Sequence, residues 1–109
     1  MTPSMDPSAW DHGLSDQTVS VLNAVFLDYN CIEKVLIFGS RANAIYHPGS
    51  DIDLAIVAPT MTAAAFAALY DALQTLPLIY KLDCIHWDAL EDKAFQQTIV
   101  ETGQVLFQS

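Results

Sequence analysis

Basic side chains are scarce in this 109-residue chain. It contains 4 Lys and Arg against 13 Asp and Glu, which gives a formal net charge of −9. Specific DNA binding commonly neutralises about 6 to 10 phosphates with basic side chains, so the sequence disfavours direct binding of a long nucleic acid. A basic protein partner suits this charge. A small anionic ligand that arrives with a divalent cation is also allowed, because the cation reverses the local sign.

Cysteines and long apolar runs are also few. The two cysteines, Cys31 and Cys84, lie far apart and form no CxxC pair, so both are predicted to be buried thiols and not metal ligands. No stretch approaches the roughly 18 consecutive apolar residues of a membrane span, and residues 1–13 lack the features of a signal peptide. We therefore expect a cytoplasmic protein with no membrane segment, in which 1–13 is a flexible leader and 14–109 is one domain.

Apolar residues are plentiful and fall into short segments. They make up 52% of the chain against 16% charged residues, which provides enough apolar surface to offset the entropy of folding. Helical spacing predicts helices over 16–29, 63–76 and 88–102, and apolar runs predict strands at 35–38, 51–57, 78–87 and 105–107. A short helix over 40–46 and a type II turn over 47–50 are expected as well.

This order of helices and strands predicts the fold class. Strands that alternate with helices favour an α/β (α+β) layer, with a small mixed β-sheet of about four strands and helices packed against it. Four short strands cannot enclose a ligand cavity, so a binding site is expected at the strand ends or on an open face of the sheet.

The segment FGSRANAIYHPGSDIDL, over 38–54, carries the strongest local signal. Gly39 and Ser40 follow the first strand at the start of the expected helix, where unpaired backbone N–H groups and the helix dipole attract an anion. Gly39 allows close approach to a phosphate, Ser40 supplies a hydroxyl donor, and Arg41 adds a charged one. Taken alone, a Gly-Ser pair is more often an ordinary turn between a strand and a helix.

Two acids at the start of the second strand strengthen the phosphate interpretation. Asp51 and Asp53 are two residues apart, so their side chains leave the same face of a strand with Cα atoms about 6.5 to 7 Å apart. Two carboxylates about 6 Å apart repel by roughly 3 kcal/mol at an effective dielectric of 20. Because Mg²⁺ prefers carboxylates together with substrate phosphates, the pair next to Gly39 predicts a metal site. A solvated strand start is the alternative.

Asp83 is the third candidate. It is an acid in an apolar stretch, where an unpaired charge would be costly. A neighbouring strand would set it beside Asp51 and Asp53. The alternative is a carboxylate paired with Lys81 or Lys34 at the edge of the sheet.

These residues together resemble a known family. The pattern of Gly39-Ser40-Arg41, then Ser50-Asp51-Ile52-Asp53-Leu54, then Asp83 resembles the minimal nucleotidyltransferase (MNT) family of the DNA polymerase β-like nucleotidyltransferase superfamily. The likeness spans about residues 15–107. It implies a nucleotidyltransferase fold that binds Mg²⁺ and a nucleoside triphosphate, transfers the nucleoside monophosphate to an acceptor hydroxyl, and releases pyrophosphate.

The resemblance also implies roles for single residues. Asp51, Asp53 and Asp83 would be the catalytic acids and the ligands of two Mg²⁺ ions, and Asp83 would help to activate the acceptor hydroxyl. The residues that resemble the nucleotide-binding positions of the family are Gly39, Ser40 and Arg41. Many family members carry Arg and Gly where this chain has Asn43 and Ala44, a difference that bears on the turn geometry and on one phosphate contact.

MNT proteins of this size resemble the antitoxins of HEPN/MNT toxin-antitoxin modules. In these modules the antitoxin can transfer AMP from ATP to a tyrosine of its HEPN ribonuclease partner. The resemblance therefore implies a HEPN-type toxin encoded nearby and a hetero-oligomer. Two alternatives remain open: a non-catalytic antitoxin that acts by direct binding, and transfer to a small molecule such as an aminoglycoside. The second is less favoured because such enzymes usually need a further domain to form the acceptor pocket.

Overall fold

The structure, a computed structural model, describes residues 14–39, 51–78 and 80–109. In these residues it contains α1 (Asp16–Leu27), β1 (Lys34–Phe38), β2 (Ile52–Val57), α2 (Ala63–Gln74), β3 (Leu82–His86), a 3-10 helix (Trp87–Ala89), α3 (Lys93–Thr102) and β4 (Gln104–Gln108). The expected leader over 1–13, and the helix and turn expected between 40 and 50, lie outside the described residues. The boundary at residue 14 therefore stays a prediction.

The four strands form one mixed sheet in the order β3-β2-β1-β4. Strand β1 is antiparallel to both β2 and β4, whereas β2 and β3 are parallel. A parallel pair needs a crossover connection, and α2 lies in the segment that joins β2 to β3. The predicted α/β layer with a small mixed sheet is confirmed. Because β2 and β3 are parallel and in register, their first residues lie at the same end of the sheet.

Each face of the sheet packs against helices. The first face carries the larger core, to which α1 contributes Leu22 and Phe26 and α2 contributes Leu69 and Leu73. The second face, called the α3 face below, carries a smaller cluster of Leu36, Ala55, Val57 and Ile99. Because successive side chains of a strand point to opposite faces, the odd-numbered positions of β2 belong to the α3 face.

Side-chain caps set the starts of the first two helices. The Ser15 hydroxyl accepts a hydrogen bond from the Thr18 N–H at 3.2 Å, and the Thr62 hydroxyl accepts one from the Ala65 N–H at 3.0 Å. Both helices end two residues earlier than predicted, at Leu27 and at Gln74.

The region before α3 differs more from the prediction. Strand β3 begins at Leu82, not at residue 78, and α3 begins at Lys93. The N-cap of α3 is Asp92, whose carboxylate accepts from the Phe95 N–H at 3.1 Å. Asp88, the predicted helix start, instead accepts from the Ala58 N–H at 2.7 Å, and this contact places it in the 3-10 helix. The predicted end of α3 at Gly103 is confirmed.

The two cysteines differ in burial. Cys84 is buried, as predicted, whereas Cys31 is only half-buried, so the prediction of two buried thiols is wrong for Cys31. No helix in the described part of the chain combines the length and the apolar composition that crossing a bilayer requires.

Candidate functional site

The sheet register brings two of the three predicted acids together. In the parallel pairing of β2 with β3, Asp53 lies opposite Asp83. On its other side Asp53 lies opposite Phe38 of β1. The neighbours of Asp53 in sequence, Ile52 and Leu54, are fully buried in the larger core, so Asp53 points to the α3 face. Residues directly opposite on paired strands share a face, so Asp83 and Phe38 lie on the α3 face as well.

Asp51 contributes charge to the same place. It directly precedes β2 and is exposed to solvent. Burial raises the pKa of the Asp53 carboxyl, and the negative charges of Asp83 and Asp51 raise this pKa further. All three acids are therefore close enough to interact electrostatically. The ionised state of Asp53 is therefore unfavourable without a cation, because like charges destabilise one another.

Gly39 lies directly against this group of acids. It follows β1 and has a φ of 76°, a conformation that residues with a Cβ rarely adopt. A Cβ built on Gly39 would lie 2.6 Å from Oδ2 of Asp53, closer than real Cβ contacts come. The main chain at the start of the predicted phosphate turn therefore lies against the carboxylate of the predicted metal pair.

Whether the three acids fit a metal site can be judged by comparing their ligand atoms with those that Mg²⁺ requires. Within residues 14–39, 51–78 and 80–109, no three His, Cys, Asp or Glu side chains are gathered closely enough to hold a metal ion by themselves. Mg²⁺ usually takes one or two carboxylates and completes its shell with substrate phosphates and water. Asp53 with Asp83 opposite and Asp51 nearby fits that requirement. The assignment of these three acids as metal ligands stays a prediction.

Asp83 differs from its predicted environment. Its apolar neighbours in the sequence predict a charge inside an apolar strand, but its side chain is exposed while Leu82 and Cys84 on either side are buried. Lys34, one proposed partner, lies opposite Val57, four residues from Asp53 along β2 and so about 13 Å away. The prediction of an expensive buried charge is wrong, and Lys34 is too distant to neutralise Asp83.

The charges at this site also affect Cys84 on the opposite face. Burial raises the pKa of the Cys84 thiol to about 12, and Asp83 and Asp53 add to this effect. Only the thiolate is a nucleophile or a good metal ligand. Cys84 therefore stays protonated at neutral pH and contributes packing to the core.

The remaining nucleotide-binding candidates, Ser40 and Arg41, lie outside the described residues. The same holds for Asn43 and Ala44, where the chain departs from the family pattern. Their predicted roles stay predictions.

The aromatic pair Phe38 and Phe95 lies beside the acids and was not predicted from the sequence. The Phe38 ring, on the strand position opposite Asp53, packs edge to face with the Phe95 ring of α3, with centroids 6.0 Å apart and planes at 78°. Helical periodicity assigns Phe95 to a helix but does not say what that helix covers. Only the packing of α3 on the sheet brings Phe95 to this place.

Comparison with known proteins gives one family. The model described as polymerase beta, nucleotidyltransferase matches residues 21–109, while no curated protein matches the sequence. A crystal structure of a toxin-antitoxin with AMP-PNP aligns with a TM-score of 0.66 and 22% identity, over 87% of this chain and 75% of that chain. A crystal structure of the toxin-antitoxin MntA-HepT gives 0.63 and 20%, over 87% and 74%.

A third solved structure, from Sulfolobus solfataricus, carries a provisional nucleotidyltransferase assignment. It aligns with a TM-score of 0.57 and 17% identity over 98% of this chain and 93% of that one. At these identities the three likenesses show a shared fold.

Proposed function

Because the polymerase beta nucleotidyltransferase model matches residues 21–109, this chain belongs to that family, and we propose that it is a Mg²⁺-dependent protein adenylyltransferase that acts as an antitoxin. The proposed reaction transfers AMP from ATP to a tyrosine hydroxyl of a HEPN ribonuclease toxin and releases pyrophosphate. The shared fold with a toxin-antitoxin structure that holds AMP-PNP supports this proposal. The net charge of −9 suits a basic, RNA-handling partner in a cytoplasmic hetero-oligomer.

One observation carries the proposal. Gly39 lies against the Asp53 carboxylate, and Asp53 lies opposite Asp83. Gly39, the first residue of the predicted phosphate-binding turn, and two acids are thus neighbours on one part of the sheet. A triphosphate held at Gly39 would bring its α-phosphate to the carboxylates, which is the arrangement that nucleotidyl transfer needs.

Each residue of the site has its own role in the proposed reaction. Asp51 and Asp53 would hold Mg²⁺, which supplies charge stabilisation to the attacking and leaving oxygens of an in-line displacement. Gly39 and Ser40 would donate backbone and hydroxyl hydrogen bonds to the triphosphate. Asp83 is exposed, so an incoming hydroxyl can reach it and transfer its proton as the new oxygen–phosphorus bond forms. The bond between the α- and β-phosphates then breaks, and pyrophosphate leaves with the bonding electrons.

The test is labelling of the partner. The protein is incubated with α-labelled ATP, Mg²⁺ and the product of the neighbouring gene, in wild-type form and as Asp53→Asn. We expect the wild type to label the partner and block its ribonuclease activity, and Asp53→Asn to lose labelling by at least about 100-fold. Asp71→Asn is the matched control, because it removes one exposed acid from α2 and should label normally.

Neutralisation by direct contact is the second candidate. It is favoured by the absence of a gathered three-acid group among the described residues. In that case Asp53→Asn would neutralise the partner as well as the wild type does, and no label would enter the partner. Transfer to a small molecule such as an aminoglycoside would instead place the label on the added compound and leave the protein fraction unlabelled.

A further inference from the structure

Helix α3 covers only part of its face of the sheet. Ile99 packs on Leu36, Ala55 and Val57, which occupy the half of the face away from Gly39. Asp53 lies two residues beyond Ala55 on β2, outside this cluster. Among residues 14–39, 51–78 and 80–109, the acids therefore lie on the half of this face that the α3 cluster leaves uncovered, called the open half below, with α3 along one side of it.

Phe95 is the aromatic residue of α3 on the side of the helix next to the acids. Its packing against Phe38, the strand neighbour of Asp53, places it at the border of the open half. The Phe95 side chain is 39% exposed. A single exposed apolar residue is ordinary on a protein surface, but this one presents an aromatic ring next to a nucleotide site.

Two other aromatic side chains of the described residues lie on this face, and both are already packed. Phe38 is half-buried and packs against the Leu36 cluster and against Phe95. Trp87 packs there too, but its indole N–H donates to the Gln96 carbonyl at 3.2 Å, and the Gln96 side chain donates back to the Trp87 carbonyl at 2.7 Å. Trp87 also follows His86, which pairs with Ile56, so it lies near the end of the sheet away from Asp53.

We propose that Phe95 stacks against the nucleobase of the nucleoside triphosphate bound at Gly39 and Asp53, a proposal that rests on the proposed function. The base is covalently tethered to the triphosphate, so a triphosphate held at Gly39 and Asp53 keeps the base within reach of the part of the face that Phe95 borders. Every base has a π face, so stacking on an aromatic ring adds affinity without choosing the base. Phe95 therefore contributes affinity for purines and pyrimidines alike.

The experiment compares a ligand that has a base with one that has none. Dissociation constants for ATP, CTP and inorganic tripolyphosphate are measured with Mg²⁺ by calorimetry, for the wild type, Phe95→Leu and Phe95→Trp. We expect Phe95→Leu to weaken ATP and CTP by about fivefold or more and to leave tripolyphosphate unchanged, while Phe95→Trp restores both nucleotides. Val100→Ala, which also alters an exposed apolar residue of α3, should change none of the constants.

Several outcomes overturn the proposal. Unchanged ATP affinity in a folded Phe95→Leu overturns it, and so does an equal loss for tripolyphosphate, which indicates a role in structure. Unchanged ATP affinity with slower transfer to the partner also overturns it, because Phe95 then contacts the acceptor. If the wild type binds none of the three ligands, the proposed function fails and the stacking proposal fails with it. Thermal unfolding confirms that each variant is folded.

Discussion

At the scale of single residues, Gly39, where the predicted phosphate turn begins, lies against the Asp53 carboxylate. Two separate features of position 39 require glycine: the φ of 76° and the space taken by Oδ2 of Asp53. The first is a backbone preference and the second is a steric limit set by a residue fourteen positions away. A side chain at 39 would therefore affect stability and the site together.

Gly39→Ala should lower both stability and transfer. We expect a loss of about 1 to 3 kcal/mol in the free energy of unfolding, from the left-handed backbone and the displaced carboxylate, measured by urea denaturation. Nucleotide affinity should also fall. Gly103→Ala is a matched control: its Cβ would lie 2.5 Å from the Ile99 carbonyl oxygen, so it should destabilise the fold without weakening nucleotide binding by the folded fraction. Equal effects of the two variants on nucleotide binding would contradict the role of Gly39.

Asp53→Asn should stabilise the metal-free protein although it removes transfer. The pKa of Asp53 is raised in the folded state, so its contribution to stability is fully present below the unfolded pKa and is lost as pH rises through the folded pKa. At neutral pH we expect the Asn variant to gain about 0.5 kcal/mol, the scale of partly exposed charge interactions. Urea unfolding with a chelator, from about pH 4 to 7, should show a flatter pH dependence for Asp53→Asn than for wild type or Asp71→Asn. A less stable Asn variant would show that the acids do not repel.

At the scale of secondary structure, the chain between β3 and α3 is held by the end of β2. The buried Ala58 donates its N–H to the Asp88 carboxylate at 2.7 Å, and its carbonyl oxygen lies 2.9 Å from Nε2 of His86. Both polar groups of Ala58 thus have partners: the His86 side chain at the end of β3 and the Asp88 side chain in the 3-10 helix that follows. Because Asp88 is bound to Ala58, it does not begin α3, and Asp92 is the N-cap of that helix instead.

Asp88→Ala should therefore cost more stability than Asp92→Ala. Loss of Asp88 leaves a buried N–H without its charged acceptor, for which we expect about 1.5 to 3 kcal/mol. Loss of the exposed Asp92 cap should cost about 1 kcal/mol. Urea denaturation of the two variants gives the comparison, and a larger loss for Asp92→Ala would contradict the assignment of the cap.

At the scale of the whole molecule, the net charge of −9 bears on how a partner is recruited. With the proposed basic toxin, electrostatic attraction should accelerate association, so the association rate should fall by about tenfold or more as salt screens the charges. Stopped-flow mixing at several salt concentrations measures this. Asp71→Lys, which makes the net charge less negative by two outside the site, should weaken the salt dependence. A rate independent of salt would indicate association through apolar contacts.

Local patterns in the sequence predicted most of the secondary structure. Ser15 and Thr62 are caps because capping depends on residues three positions apart, and β1 and β2 follow from short apolar runs. The predicted start of β3 was wrong by four residues. The predicted start of α3 was wrong by five residues, because the hydrogen bond from Ala58 to Asp88 spans thirty positions. No local periodicity contains such a bond.

By itself, the sequence determined which residues are predicted to carry chemistry. These are Gly39, the pair Asp51 and Asp53, and a later acid at Asp83, whose residue types and spacing suit phosphate and metal. Only the tertiary structure decided that Asp83 lies opposite Asp53, that its side chain is exposed, and that Phe95 borders the site. Strand register and helix placement are set by burial of apolar surface between segments distant in sequence, so they emerge only when the whole core is assembled.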